Sequence, residues 1–283
     1  MLLHQYNAVP VRHRRVPPMQ SLLAVLTLLA AGVAAADPAV IYLAGDSTMA
    51  EKTAEVRPET GWGEKLGKFF DDKSIRIENR AKNGHSTKSF IAEGRWDQIV
   101  KALHAGDYVF IQFGHNDAKV DNQSVFTAPD DYGKNIARFI ADVRAAKATP
   151  VVLTPVMRRS FNDRGELQDT LGIYPAIARK VAAEQSAVLI DMHGDSGRVL
   201  REYGPEGSKK LFLILAPGQS INYPQGITDD THFSPLGAEE MAAIAVDDIR
   251  ALLPDLAKHL KDKPTKAAQM IEDSRQFRVE LTP

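Results

Sequence analysis

The sequence contains no cysteine. That absence excludes disulfides, thiolate metal sites, a thiol nucleophile and a lipid-modified cysteine, so an apolar core has to supply the stability. Other patterns are missing too. No Gly-x-Ser-x-Gly occurs, so the nucleophile elbow of the α/β-hydrolases is not the template. Neither Gly-x-Gly-x-x-Gly nor a Walker loop occurs, which argues against dinucleotide and nucleotide binding. There is no internal repeat and no low-complexity linker. Charge of one sign is not in excess either, with 35 Lys and Arg against 36 Asp and Glu. That balance favours neither nucleic acid nor an anionic membrane surface as a partner.

What is present begins with a leader. Arg12-His13-Arg14-Arg15 precedes an uncharged apolar run from Leu22 to Ala36 that ends Ala34-Ala35-Ala36. A basic region, an apolar region and an A-x-A pattern form a secretory signal, with cleavage expected after Ala36. Met19 is an alternative start. The run is short of the roughly 20 residues of a membrane span, so a cleaved signal is preferred to an anchor. The expected location is secreted or periplasmic, without stable membrane association after cleavage. Removing residues 1–36 takes away three arginines and no acid, leaving 32 basic and 36 acidic residues.

Along the remaining chain, short apolar runs alternate with longer segments of helical period. The runs are 39–44, 75–78, 108–113, 150–154 and 187–191, and two of them read VFIQF and VVLT. Near-continuous β-branched and aromatic runs are expected of parallel strands buried on both faces. Helices are expected near 61–72, 93–104, 130–147, 168–185, 195–203 and 235–253. The alternation predicts an α/β fold, a three-layer α/β/α sandwich around a five-stranded parallel sheet. The flavodoxin-like order 2-1-3-4-5 is the expected one. One domain is expected over 37–253, followed by a charged helical extension or tail over 254–283. Residues 205–230 carry Gly204-Pro205, Pro217-Gly218 and Tyr223-Pro224-Gln225-Gly226. They read as a long functional loop.

Ser47, in Gly45-Asp46-Ser47-Thr48-Met49, directly follows the first strand, at the sheet edge where open α/β proteins build sites. Alone it reads more readily as a helix N-cap than as a nucleophile. A serine nucleophile needs a base. Of eight histidines, His4 and His13 fall in the leader, and His104 and His259 read as solvated. His85, His115, His193 and His232 remain. Asp229 precedes His232 by three residues, so one tight turn can set its carboxylate on Nδ1 and leave Nε2 for Ser47. The competing reading is an Asx-type turn before the helix at Ser234-Pro235. Asn116, after the third strand, can offer its amide to an oxyanion, and Gly84, after the second, a bare N–H. Arg158 and Arg159, after the fourth strand, suit bidentate carboxylate recognition, with structural salt bridges as the alternative. His115 is a candidate for lining an acyl pocket, and Trp62 reads as core. His115, His193 and Asp195 match no compact ligand spacing, so no metal is expected.

Together, Gly45-Asp46-Ser47, Gly84, Gly114-His115-Asn116-Asp117 and Asp229-x-x-His232 resemble the four ordered blocks of SGNH (GDSL-like) hydrolases. The segments 42–50, 61–63, 83–90, 110–117, 154–161 and 229–238 look like the rhamnogalacturonan acetylesterase branch. Thr48 stands where the GDSL name has Leu. The resemblance spans roughly 40–250. It implies Ser47 as nucleophile, Asp229 and His232 completing a triad, and the Ser47 N–H, Gly84 N–H and Asn116 as oxyanion hole. It implies no cofactor and an acetylated polysaccharide or oligosaccharide as substrate. A broader lipase or thioesterase and a catalytically silent carbohydrate-binding protein are the other readings of the same chain.

Overall fold

A computed structural model describes residues 38–261. The expected leader and the chain beyond 261 lie outside the described residues. Five parallel strands form the central sheet: β1 (Ala39–Gly45), β2 (Ile75–Asn79), β3 (Tyr108–Gln112), β4 (Thr149–Leu153) and β5 (Val188–Ile190), in the order β2-β1-β3-β4-β5. The expected three-layer fold and strand order are the observed ones. β1 shows why its run is continuously apolar: alternate residues point to opposite faces, and both faces are covered. Ile41 and Leu43 join Phe110, Val151, Leu153 and Ile190 in one core, while Val40, Tyr42 and Ala44 join Val109, Ile111 and Val152 in the other.

The first core is closed by α1 (Gly63–Leu66), α6 (Met192–Gly207, kinked at Gly204) and α7 (Pro235–Leu252). The second is closed by α2 (Thr87–Ala92), α3 (Arg95–Ala102), α4 (Pro129–Ala145) and α5 (Tyr174–Glu184). In it Trp96 stacks on Phe139 with ring centroids 3.9 Å apart, and its indole N–H donates to Asp142. A short helix, α8 (Pro254–Ala257), follows α7, and Leu256 and Leu260 are buried in the first core.

Three elements, one helix and two strands, were not read from the sequence. The block 83–90 contains the start of α2, whose N-cap Ser86 forms a capping box with Ser89; six residues are too few to show a period. The presumed loop 205–230 is the larger correction. It holds the end of α6, a 3-10 turn at Ser208–Leu211, and the antiparallel pair β6 (Phe212–Leu215) and β7 (Ile227–Phe233). The pairing runs Leu213 with Asp229, then jumps to Phe212 with Phe233, so residues 230–232 have no partner opposite them. That bulge carries His232.

One close approach locks the turn after β1 to the following loop. A Cβ on Gly61 would lie 2.0 Å from the Ala50 carbonyl oxygen and 2.7 Å from that of Met49. Both are backbone atoms, so relief requires moving the chain. Gly61→Ala is expected to destabilise the fold by about 1–3 kcal/mol, the usual range for overpacking, read as a lower urea midpoint with unchanged m-value.

Candidate active site

The strand β1 runs out at Gly45, and the turn that follows is held from beneath. Asp46 is fully buried; its Oδ1 accepts the Thr48 N–H at 2.9 Å and the Thr48 hydroxyl at 2.8 Å. Its Oδ2 faces His115 Nδ1 at 3.2 Å. Burial alone pushes the Asp46 carboxyl up, but the His115 ring and the two Thr48 groups outweigh it and bring it from 3.8 down to about 2. His115 itself is 2% exposed. Burial holds its pKa below the ordinary value against the pull of Asp46. The pair is therefore a carboxylate accepting from a neutral imidazole. His115 lies behind the turn rather than open to solvent, and its Nε2 has no partner among the described residues.

Ser47 is presented by this turn. Its Oγ lies 2.8 Å from His232 Nε2, across 185 positions of sequence. His232 Nδ1 lies 2.7 Å from Asp229 Oδ2. The other oxygen of Asp229 accepts the N–H groups of Thr231 at 2.8 Å and His232 at 3.0 Å. One carboxylate thus builds the turn and aims the ring. Burial would raise Asp229, but the bonds from His232 and the two N–H groups bring it down to about 2. An ionised Asp229 fixes the proton on Nδ1 and leaves the Nε2 lone pair facing the Ser47 hydroxyl. Ser234, named in the competing reading, caps α7 by accepting the Gly237 N–H. The Asx-type turn and the histidine geometry coexist.

Two neighbouring strand ends complete the edge. Gly84, after β2, has φ 75°, a left-handed conformation that side-chain-bearing residues rarely adopt. Asn116, after β3, is 2% exposed; its NH₂ donates to the His85 carbonyl at 3.0 Å and its Oδ1 accepts from Lys119 at 2.8 Å. A lysine can only donate and a carbonyl only accept, so the amide orientation is determined. One amide N–H remains for a ligand. Since β1 lies between β2 and β3, Ser47, Gly84 and Asn116 emerge side by side.

The two arginines separate. Arg159 is only 11% exposed and pairs with Asp230 at 2.6 Å, while also donating to the Pro205 carbonyl at 2.6 Å and to Ser208 at 3.2 Å. It fastens the β7 bulge to α6, so the expectation of a substrate contact there gives way to the structural salt bridge. Arg158 donates to the His115 and Thr170 carbonyls at 3.3 Å. Burial lowers its pKa, opposed by Asp46 and Asp229. No carboxylate among the described residues lies within 4.0 Å of it. Trp62 is buried, and its indole N–H donates to Gln112 at 2.8 Å. Sequence reasoning missed Gln112, Lys119, Lys52 and Glu59; the last two sit in a polar stretch indistinguishable from a solvated loop.

The acid side of the stability curve follows from these shifts. A carboxylate depressed from 3.8 to about 2 contributes stability that is present above the unfolded pKa and lost as pH falls through the folded one. Buried neutral His115 adds loss in the same direction, because acid charges it in the unfolded chain first. Asp46→Asn is expected to cost about 1–3 kcal/mol at neutral pH and to flatten the decline between about pH 4 and pH 2, measured by urea unfolding at a series of pH values.

Residues 43–240 match the model of the GDSL-like lipase/acylhydrolase family. The chain is 37% identical over 229 residues to the rhamnogalacturonan acetylesterase RhgT of Bacillus subtilis, covering 81% of this chain and 97% of that one. Its fold is similar to the crystal structure of protein YxiM from Bacillus subtilis, with a TM-score of 0.65 and 24% identity, over 76% of this chain and 56% of that one. It is also similar to an acetylxylan esterase from Geobacillus stearothermophilus, with a TM-score of 0.54 and 18% identity, over 75% and 94%. With its family block spanning the sheet and every strand end that carries the site, this chain belongs to the GDSL-like lipase/acylhydrolase family and is a carboxylic-ester hydrolase.

Proposed function

We propose that this protein is a secreted or periplasmic carbohydrate O-acetylesterase acting on rhamnogalacturonan or a related pectic glycan through a Ser-His-Asp acyl-enzyme mechanism. The observation that carries the mechanism is the continuous chain Ser47 Oγ, His232 Nε2, His232 Nδ1, Asp229 Oδ2, with contacts of 2.8 and 2.7 Å. The similarity to RhgT over nearly that protein's whole length supports the substrate class. The leader pattern of residues 12–36 supports export.

In the first step the Ser47 proton moves to His232 Nε2 as Oγ bonds to the acetyl carbon, and the carbonyl π pair moves onto oxygen. The oxyanion is met by the N–H groups of Ser47 and Gly84 and by the remaining amide N–H of Asn116. Collapse breaks the bond to the sugar oxygen, which takes the proton from Nε2. Water then attacks the acetyl-enzyme by the same route, releasing acetate and restoring Ser47. Asp229 stays ionised throughout and stabilises the imidazolium. Arg158, a cation without a carboxylate partner among the described residues, is the residue we assign to an acidic sugar.

Acetate release from acetylated pectins, xylans and free oligosaccharides tests the substrate, with the pectic materials expected to lead. A p-nitrophenyl ester series is expected to favour acetyl over longer acyl chains; preference for the longer ones would point to a lipase or thioesterase. Ser47→Ala is expected to lose about 10⁴-fold or more in turnover, and Asn116→Ala about 10²–10³-fold. Full activity of Ser47→Ala on acetylated pectin would refute the mechanism.

A further inference from the structure

The Lys52 side chain is entirely buried, yet its ammonium is fully satisfied. It donates to the Ser47 carbonyl at 2.5 Å and to Asn83 Oδ1 at 2.8 Å, and pairs with Glu59 Oε1 at 2.7 Å. Three N–H groups meet three acceptors. Each acceptor belongs to a different part of the site: the nucleophile turn, the loop that continues into Gly84, and the segment facing His232.

Glu59 is placed by backbone. Its neighbour Thr60 forms an isolated antiparallel bridge to Phe233, donating its N–H to the Phe233 carbonyl at 3.0 Å. Phe233 directly follows His232, so Glu59 is carried alongside the ring. Its Oε1 stands 4.0 Å from His232 Nε2. That is beyond a hydrogen bond but within strong range of a charge. Asp229 acts at Nδ1; Glu59 acts on the side where the Ser47 proton arrives. Burying an ion pair is seldom the stablest way to fill such a space, so stability alone does not account for it.

We propose that Lys52 and Glu59 are positioning residues for ester hydrolysis: Glu59 holds the His232 imidazolium as Ser47 attacks, and Lys52 anchors Glu59 and ties the Ser47 and Gly84 segments together. The inference rests on the triad reading above. The charged and titratable groups around His232 are Asp229 from β7, Glu59 and Lys52 from the segment after β1, His115 after β3 and Arg158 after β4. Among these, Asp229 is in the triad, His115 lies behind the turn and Arg158 is assigned to the substrate, which leaves Glu59 and Lys52 without a role so far.

The test is the pH dependence of kcat and KM for p-nitrophenyl acetate in the full chain and in Glu59→Gln and Lys52→Met. Glu59→Gln keeps an oxygen acceptor for Lys52 and removes only the charge. The acidic midpoint of kcat/KM is expected to move down by about one pH unit, as for a unit charge removed at such range under water-like screening. Plateau kcat is expected to fall about tenfold, with KM within about twofold. Lys52→Met is expected to move the same midpoint up, by about half a unit. A merely structural pair lowers kcat and leaves the midpoint in place; that result, or shifts of the same sign, overturns the proposal. If Lys52→Met does not fold by circular dichroism, the Glu59→Gln midpoint decides alone. Ser47→Ala separates the readings: full activity there removes the triad, whereas its inactivity with an unmoved Glu59→Gln midpoint overturns only the ion-pair proposal.

Discussion

The Asp229 carboxylate is asked to do two things at once, and the geometry of the site depends on its doing both. One oxygen accepts two backbone N–H groups and so folds the bulge 230–232; the other holds the imidazole that this bulge presents. Loss of the charge would loosen the turn and free the ring together. The depressed pKa is the thermodynamic face of that double use, since each donor favours the ionised form. Arg159 reinforces it from outside, pinning Asp230 to the end of α6.

The other side of the site depends on the sheet. Parallel strands all end at one edge, and β1, flanked by β2 and β3, can surround Ser47 with two further turns without any long excursion of chain. Those turns are polar and mostly buried, which is tolerable because most of their groups are paired, His115 Nε2 and Asp117 Oδ2 being the exceptions among the described residues. Asp46 takes up Thr48 and His115; Gln112 takes up Trp62, Thr48 and the Thr154 carbonyl; Asp117 takes up the N–H and hydroxyl of Thr87. Site residues are thereby fixed by bonds that reach into the layers on both sides of the sheet.

Much of this was legible in advance. Apolar runs located the sheet strands: those of β1, β3 and β4 are nearly continuous because both faces are buried, whereas the edge strand β2 alternates as IRIEN. Ser47, Gly84, Asn116, Asp229 and His232 stood out because each is chemically competent and follows a strand or precedes a helix. The pair β6–β7 was not legible: its second strand reads ITDDTHF, and a half-buried strand carrying five polar residues in succession looks like loop. Arg158 and Arg159, adjacent and identical in type, could not be told apart, since their difference lies in what happens to be near each.

By itself the sequence determined the layer architecture, the strand order and the residues with the right chemistry, because periodicity, burial and local turn geometry are properties of neighbours in the chain. Tertiary structure alone decided the 2.8 Å approach of His232 to Ser47 across 185 positions, and the seating of buried Lys52 and Glu59 beneath them. These contacts depend on a strand bulge and on a backbone bridge between segments far apart in the chain. A distance of that kind is set by how independently folded pieces pack, and no local pattern encodes it.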